Sequence, residues 1–234
     1  MLSTMNSSLA LCFAPLVATF LIFIIVIKDL RLLSALWACV LGLAAVLPIA
    51  FVQLFVGGFS AFNGSGFASL LLTAIVFNGV IEEAFKMLFL LLLPRKKTTV
   101  AAFFCCSLLF GLALGSFESL VYLVRRLQSV SQQDGVAGVY KLLLVRMATA
   151  VLVHTFCAGL SGLGIQFAMR CRLRLLPFVY AMLLHGIYNF FAAFAAPFRY
   201  FSVAAVLFAA LECRICYQAL RPLSVVGAKV TEVY

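Results

Sequence analysis

Seven apolar runs, each roughly 20 residues or more, dominate this chain, and that is the length a helix needs to cross the hydrocarbon core of a bilayer. They fall at about residues 9–27, 32–55, 67–93, 98–124, 142–169, 175–194 and 200–219. In hydrocarbon the backbone has no water to bond, so such runs must satisfy their own N–H and C=O groups as helices. The fold class expected is all-α, a polytopic membrane helical bundle of about seven transmembrane helices. Composition agrees: 66% of residues are hydrophobic and 10% charged, where soluble domains carry about 25% charge. That excludes an ordinary water-soluble fold, and the lack of polar or Pro/Ser-rich tracts excludes a disordered chain. Short loops leave no space for a second unit, so residues 1–234 read as a single integral-membrane domain. Gly57-Gly58 through Asn63-Gly64-Ser65-Gly66, Pro94-Arg95-Lys96-Lys97 and Pro197 mark breaks. The only loop of any length is expected at about residues 125–141.

The net charge of +10 does not point to nucleic acid, because the basic residues punctuate apolar runs instead of gathering on one face. They report topology. The side holding Lys28, Arg31, Arg95, Lys96, Lys97, Arg170, Arg172, Arg174, Arg214, Arg221 and Lys229 collects 11, against 5 on the other side (Arg125, Arg126, Lys141, Arg146, Arg199). This predicts an outside N-terminus and a cytoplasmic C-terminus, with Arg146 snorkelling toward the outer interface. No basic residue precedes Lys28, so the first run reads as a retained helix rather than a cleaved signal. The eight cysteines, Cys213-Arg-Ile-Cys216 and Cys171 included, read as small packing residues and not as a disulfide or metal framework.

Ionisable side chains inside these runs are the strongest functional signal, since each costs roughly 2.5–3.5 kcal/mol at a helix centre on insertion scales. Glu82, Glu83 and Lys86 interrupt the third run, Glu118 the fourth, His154 the fifth and His185 the sixth. Asn78, Glu82 and Lys86 are four apart and share a helix face; Glu83 is three from Lys86. Gly111, Gly115, Glu118 and Tyr122 form a second such face, on which the glycines admit a neighbouring helix. His185 and Asn189 form a third. Counting helical rise from the basic loops puts Glu82, His154 and His185 in one layer near the midplane, but leaves Glu118 nearer the outer surface. A Glu118–Lys86 ion pair is one reading of those two residues. Gly159, Gly162 and Gly164 are read as close-packing positions.

Carboxylates and histidines in this number suit three chemistries. A carboxylate can activate water for hydrolysis while His and Asn donors hold the oxyanion. His and Glu can ligate a metal, although HExxH is absent. The same groups can also line a proton or ion path through a transporter.

Four motifs in order narrow the choice: Glu82-Glu83-Ala84-Phe85-Lys86 as EExxK, Phe117-Glu118-Ser119-Leu120-Val121-Tyr122 as FExxxY, His154 alone, and His185-Gly186-Ile187-Tyr188-Asn189 as HxxxN. On four consecutive helices, about residues 67–194, this resembles the PrsW family of intramembrane proteases, within the superfamily of CAAX prenyl proteases and bacteriocin-processing enzymes. The resemblance implies a glutamic endopeptidase that cuts a membrane-anchored protein, such as an anti-sigma-factor-like single-pass protein, in a bacterial cytoplasmic membrane. By analogy Glu82 is the water-activating base, Glu83 and Lys86 organise the pair, and His185 and Asn189 steady the oxyanion. Glu118, His154 and Tyr122 complete the candidate site. No metal and no cofactor are expected, and the partners are the bilayer and the protein substrate, with no nucleic acid. A non-catalytic scaffold is the alternative, since the topology and Val153-His154-Thr155-Phe156 are similar to the anterior-pharynx-defective subunit of γ-secretase.

Overall fold

The computed structural model describes residues 2–59, 62, 64, 66–95, 98–129, 135–170 and 175–231. Lys96, Lys97, Cys171, Arg172 and Arg174, as well as Asn63 and Ser65 of the first break, lie outside the described residues. Those described fold as helices α1 (Leu2–Val26), α2 (Leu32–Val56), α3 (Phe67–Thr73), α4 (Glu82–Leu90), α5 (Val100–Ser129), α6 (Gly135–Ala148), α7 (Ala150–Arg170), α8 (Leu176–Ala192) and α9 (Phe201–Thr231). A π-helical segment, Ala74–Ile81, joins α3 to α4 without a break. Among the described residues, six runs are long and apolar enough to cross a membrane, and α8, with 17 residues, is a shorter apolar helix. The all-helical polytopic bundle expected from the apolar runs is therefore what forms.

The core is built on α5 and α7, which cross along most of their length; α2 and α1 pack on the far side of α5, and α8 and α9 on α7. Most of the α5 span is buried and hardly any of α1, so α1 is a peripheral, lipid-facing helix. Small residues set the α5–α7 distance. A Cβ at Gly111 would come 2.7 Å from the Ala158 Cβ and press on the His154 carbonyl, and one at Gly115 would meet the Val151 Cα at 3.0 Å. The π segment meets α8 equally closely, because Gly79 lies against the Met182 carbonyl. That approach sets the first turn of α4 beside His185.

Two expectations change. The region read as a loop at 125–141 is largely helical, since α5 runs on to Ser129 and α6 begins at Gly135. Charge ends an apolar run but not a helix, and Leu, Arg and Gln are good helix formers. The run at 142–169 is interrupted at Thr149, between α6 and α7. There the Thr149 hydroxyl donates to the Val145 carbonyl (2.7 Å) and accepts from Tyr188 Oη (3.1 Å), a back-bonding pattern that bends helices.

Gly111→Ala is expected to lower stability by about 1–3 kcal/mol through overpacking. Gly66→Ala, where nothing lies within 4 Å, is expected to be neutral within about 0.5 kcal/mol. Unfolding midpoints in mixed detergent check both.

Candidate active site

Each intramembrane ionisable residue singled out by the sequence arrives in one cluster. Glu82, Glu83 and Lys86 come from α4, Glu118 from α5, His154 from α7 and His185 from α8. The centre is Glu83, which is fully buried, as is Lys86. Its Oε1 accepts from Lys86 Nζ at 2.6 Å and from His185 Nδ1 at 2.8 Å, and its Oε2 accepts from Ser161 Oγ on α7 at 3.3 Å. The acid is thus compensated by a full cation and its lone pairs are used, as a charge in this environment requires.

Glu82, one residue earlier and about 100° around the helix, faces a different environment. Its Oε1 accepts from Gln53 Nε2 on α2 at 2.9 Å. Its Oε2 points at both imidazoles, 3.7 Å from His185 Nε2 and 3.8 Å from His154 Nδ1. Those separations exceed a hydrogen bond and suit groups that share a water or an ion. The two rings stand edge to face with centroids 4.8 Å apart.

Partners also fix the histidine tautomers. A carboxylate only accepts, so His185 carries its proton on Nδ1, toward Glu83. Its Nε2 is left as a lone pair, buried and without a hydrogen-bond partner. His154 lies between opposite partners, with Nε2 against Glu118 Oε2 and Nδ1 3.0 Å from Lys86 Nζ. Its proton therefore sits on Nε2.

A cavity of about 170 Å³ opens onto this group, with Glu82, Glu118, His154, His185, Asn189, Asn78 and Gln53 on its wall. A second chamber of about 280 Å³ shares the Glu118, Tyr122, His154 and Asn189 wall and adds Arg146 and Tyr188. Asn189 Nδ2 donates to the His185 carbonyl of its own helix at 3.2 Å. Asn78 and Glu82 share the cavity as their spacing predicts, while Lys86 turns away to Glu83.

Three expectations are corrected. Glu118 does not pair with Lys86: its Oε1 accepts from Arg146 Nη2 at 3.1 Å, and its Oε2 lies against His154 Nε2. Nor does it lie in another layer, since its Oε2 meets His154 Nε2; rise counted from loop ends assumes parallel helices starting in one plane. Arg146 does not snorkel; it bonds Glu118 and Ser119 (3.3 Å) and stacks 3.7 Å over the Tyr122 ring. Gln53 was missed altogether. A lone amide near the end of an apolar run was the only signal, and so close to a helix end an uncharged group can reach the interface. The described cysteines are free thiols, and Cys213 Sγ donates to the Phe156 carbonyl at 3.1 Å.

No curated protein and no solved structure matches the chain. A family model described as PrsW family intramembrane metalloprotease matches residues 29–211. That description carries a metal, where the sequence reading expected none. The donor set fits a divalent ion: Glu82, His154 and His185 offer ligand atoms within 4.8 Å of one another. The unpartnered His185 Nε2 is one of them, and the outward nitrogen of each ring is held by a carboxylate, the usual backing of metal-bound histidines. Lys86 competes for one donor, His154 Nδ1. The matched segment spans well over half the sequence and contains all four motifs, and on that match the chain belongs to the PrsW family of intramembrane proteases.

Proposed function

We propose that the chain is an endopeptidase that cleaves a membrane-anchored, single-pass protein, such as an anti-sigma factor, with Glu82 as the base that activates water. The observation that carries this reading is the aim of Glu82: Oε1 is tied to Gln53 while Oε2 faces two imidazoles across a water-sized gap at the cavity wall. Glu82 Oε2 takes a proton from water as the new C–O bond forms at the scissile carbonyl. Asn189, with an amide proton beyond the one given to His185 O, holds the oxyanion. His185 Nε2 is a lone pair, so it cannot donate to the oxyanion as the resemblance implied. It instead receives the proton from Glu82 and delivers it to the leaving amine as the C–N bond breaks. Glu83 and Lys86 orient the two histidines, and Tyr122 and Glu118 line the approach.

A second reading rests on the same donors and on the family's description. Glu82, His154 and His185 would hold a divalent cation, which when bound lowers the pKa of water and polarises the carbonyl. The excess of Lys and Arg in alternate loops supports an outside N-terminus and a cytoplasmic C-terminus; the family resemblance supports a bacterial cytoplasmic membrane, and the short loops support residues 1–234 as one domain.

Purified protein in detergent, incubated with a panel of single-pass substrates and read by mass spectrometry, is expected to release one defined product pair. Glu82→Gln, with its fold intact, is expected to lose about 10²–10⁴-fold in rate; a wild-type rate in that variant would remove Glu82 as the base. Dialysis against a chelator is expected to leave the rate unchanged. Cleavage lost on chelation and restored by zinc converts Glu82 from base to ligand.

A further inference from the structure

Arg146 belongs to none of the four motifs, yet its guanidinium is immobilised at the edge of the site by three neighbours on one face of α5. Nη2 donates to Glu118 Oε1 at 3.1 Å, Nε donates to Ser119 Oγ at 3.3 Å, and Cζ lies 3.7 Å over the Tyr122 ring. Planar donors and a stacked cation fix orientation as well as charge. With Oε1 of Glu118 held in this way, Oε2 lies against His154 Nε2. Glu118 is only partly buried, its side chain 26% exposed, and it lines the 280 Å³ chamber. Without Arg146 its carboxylate is free to turn into that chamber.

We propose that Arg146 is a positioning residue of the active site: by clamping Glu118 it fixes the ring orientation of His154. The consequence falls on Nδ1, the nitrogen that faces Lys86 at 3.0 Å and Glu82 Oε2 at 3.8 Å. An imidazole between a carboxylate and an ammonium has both nitrogens held; released from the carboxylate it is held at Nδ1 alone, and its Nε2–H loses its acceptor. The ring can then turn about its Cβ–Cγ bond, and the lone pair it presents to Lys86 and Glu82 turns with it. Arg146 thus acts through Glu118 on the geometry around Glu82 without touching the reacting atoms.

The chain has only two histidines, so ¹⁵N-imidazole labelling of the full-length protein in detergent, stripped of divalent ions, reports both rings separately. The wild type is expected to show His154 as the Nε2–H tautomer and His185 as the Nδ1–H tautomer. Arg146→Met is expected to shift the His154 Nε2 signal, which loses its carboxylate neighbour, and leave His185 in place, while Arg146→Lys, which keeps the charge without the planar donors, shifts it less. The rate of cleavage is expected to fall about 10- to 100-fold in Arg146→Met, as for other residues that orient a functional histidine, through kcat with KM unchanged. Unchanged His154 signals in Arg146→Met, or equal shifts in both rings, overturn the proposal. Should Arg146→Met fail to fold, Arg146→Gln, which keeps a donor but no charge, decides by the same spectrum. Only the rate rests on the protease reading. A His154 response without proteolysis in any variant counts against that reading and leaves the role of Arg146 standing.

Discussion

A charge in hydrocarbon persists only beside its counter-charge and with its remaining polar atoms bonded, and Glu83 is where this chain meets that demand. One carboxylate receives Lys86 from its own helix, His185 from α8 and Ser161 from α7. Three helices are thereby pinned at one depth. The rest of the site takes its orientation from this point: His185 presents Nε2 to Glu82 because its other nitrogen is held, and Lys86 reaches His154 because its own position is set. Removing one partner of such a buried pair costs on the order of 3–5 kcal/mol, so the arrangement is structural before it is chemical.

Adjacent acids then divide the work. Glu83 points into the protein and is fully compensated, which leaves it no free oxygen for a substrate. Glu82 points into the cavity, is steadied by a neutral amide, and keeps Oε2 uncommitted. A base or a metal ligand needs that free oxygen, and a structural anchor needs to lack one. The π segment that ends at Ile81 belongs to the same design, since Gly79 lets α8 approach closely enough to bring His185 to both acids. Wide turns of this kind recur at functional sites.

The residues of the cluster were legible because insertion cost singles them out. Glu82, Glu83, Lys86, Glu118, His154 and His185 stand in runs where lipid penalises each of them, and a four-residue spacing linked Asn189 and Tyr122 to their faces. Gln53 escaped because it is uncharged and lies near the end of its apolar run, and Thr149 because its hydroxyl satisfies itself on the Val145 carbonyl. Arg146 was misread because near a helix end the same residue can reach water or turn inward, and only the Glu118 carboxylate across the gap decides. The pairing of Lys86 with Glu83 was legible in their spacing of three, but that Lys86 stays off Glu118 depends on how the helices are rotated about their axes, which hydropathy does not encode.

By itself the sequence determined that this chain lives in a membrane, about where it crosses, and which side chains cannot be lipid-facing there. Those follow from transfer free energies, which belong to residues one at a time or in short windows. Tertiary structure alone decided which oxygen meets which nitrogen: Glu83 as anchor and Glu82 as the cavity acid, the tautomer of each histidine, and the recruitment of Gln53 and Arg146. Those follow from helix crossing and rotation, set by the close approaches at Gly79, Gly111 and Gly115, and hydrogen bonds read such geometry to within a few tenths of an ångström.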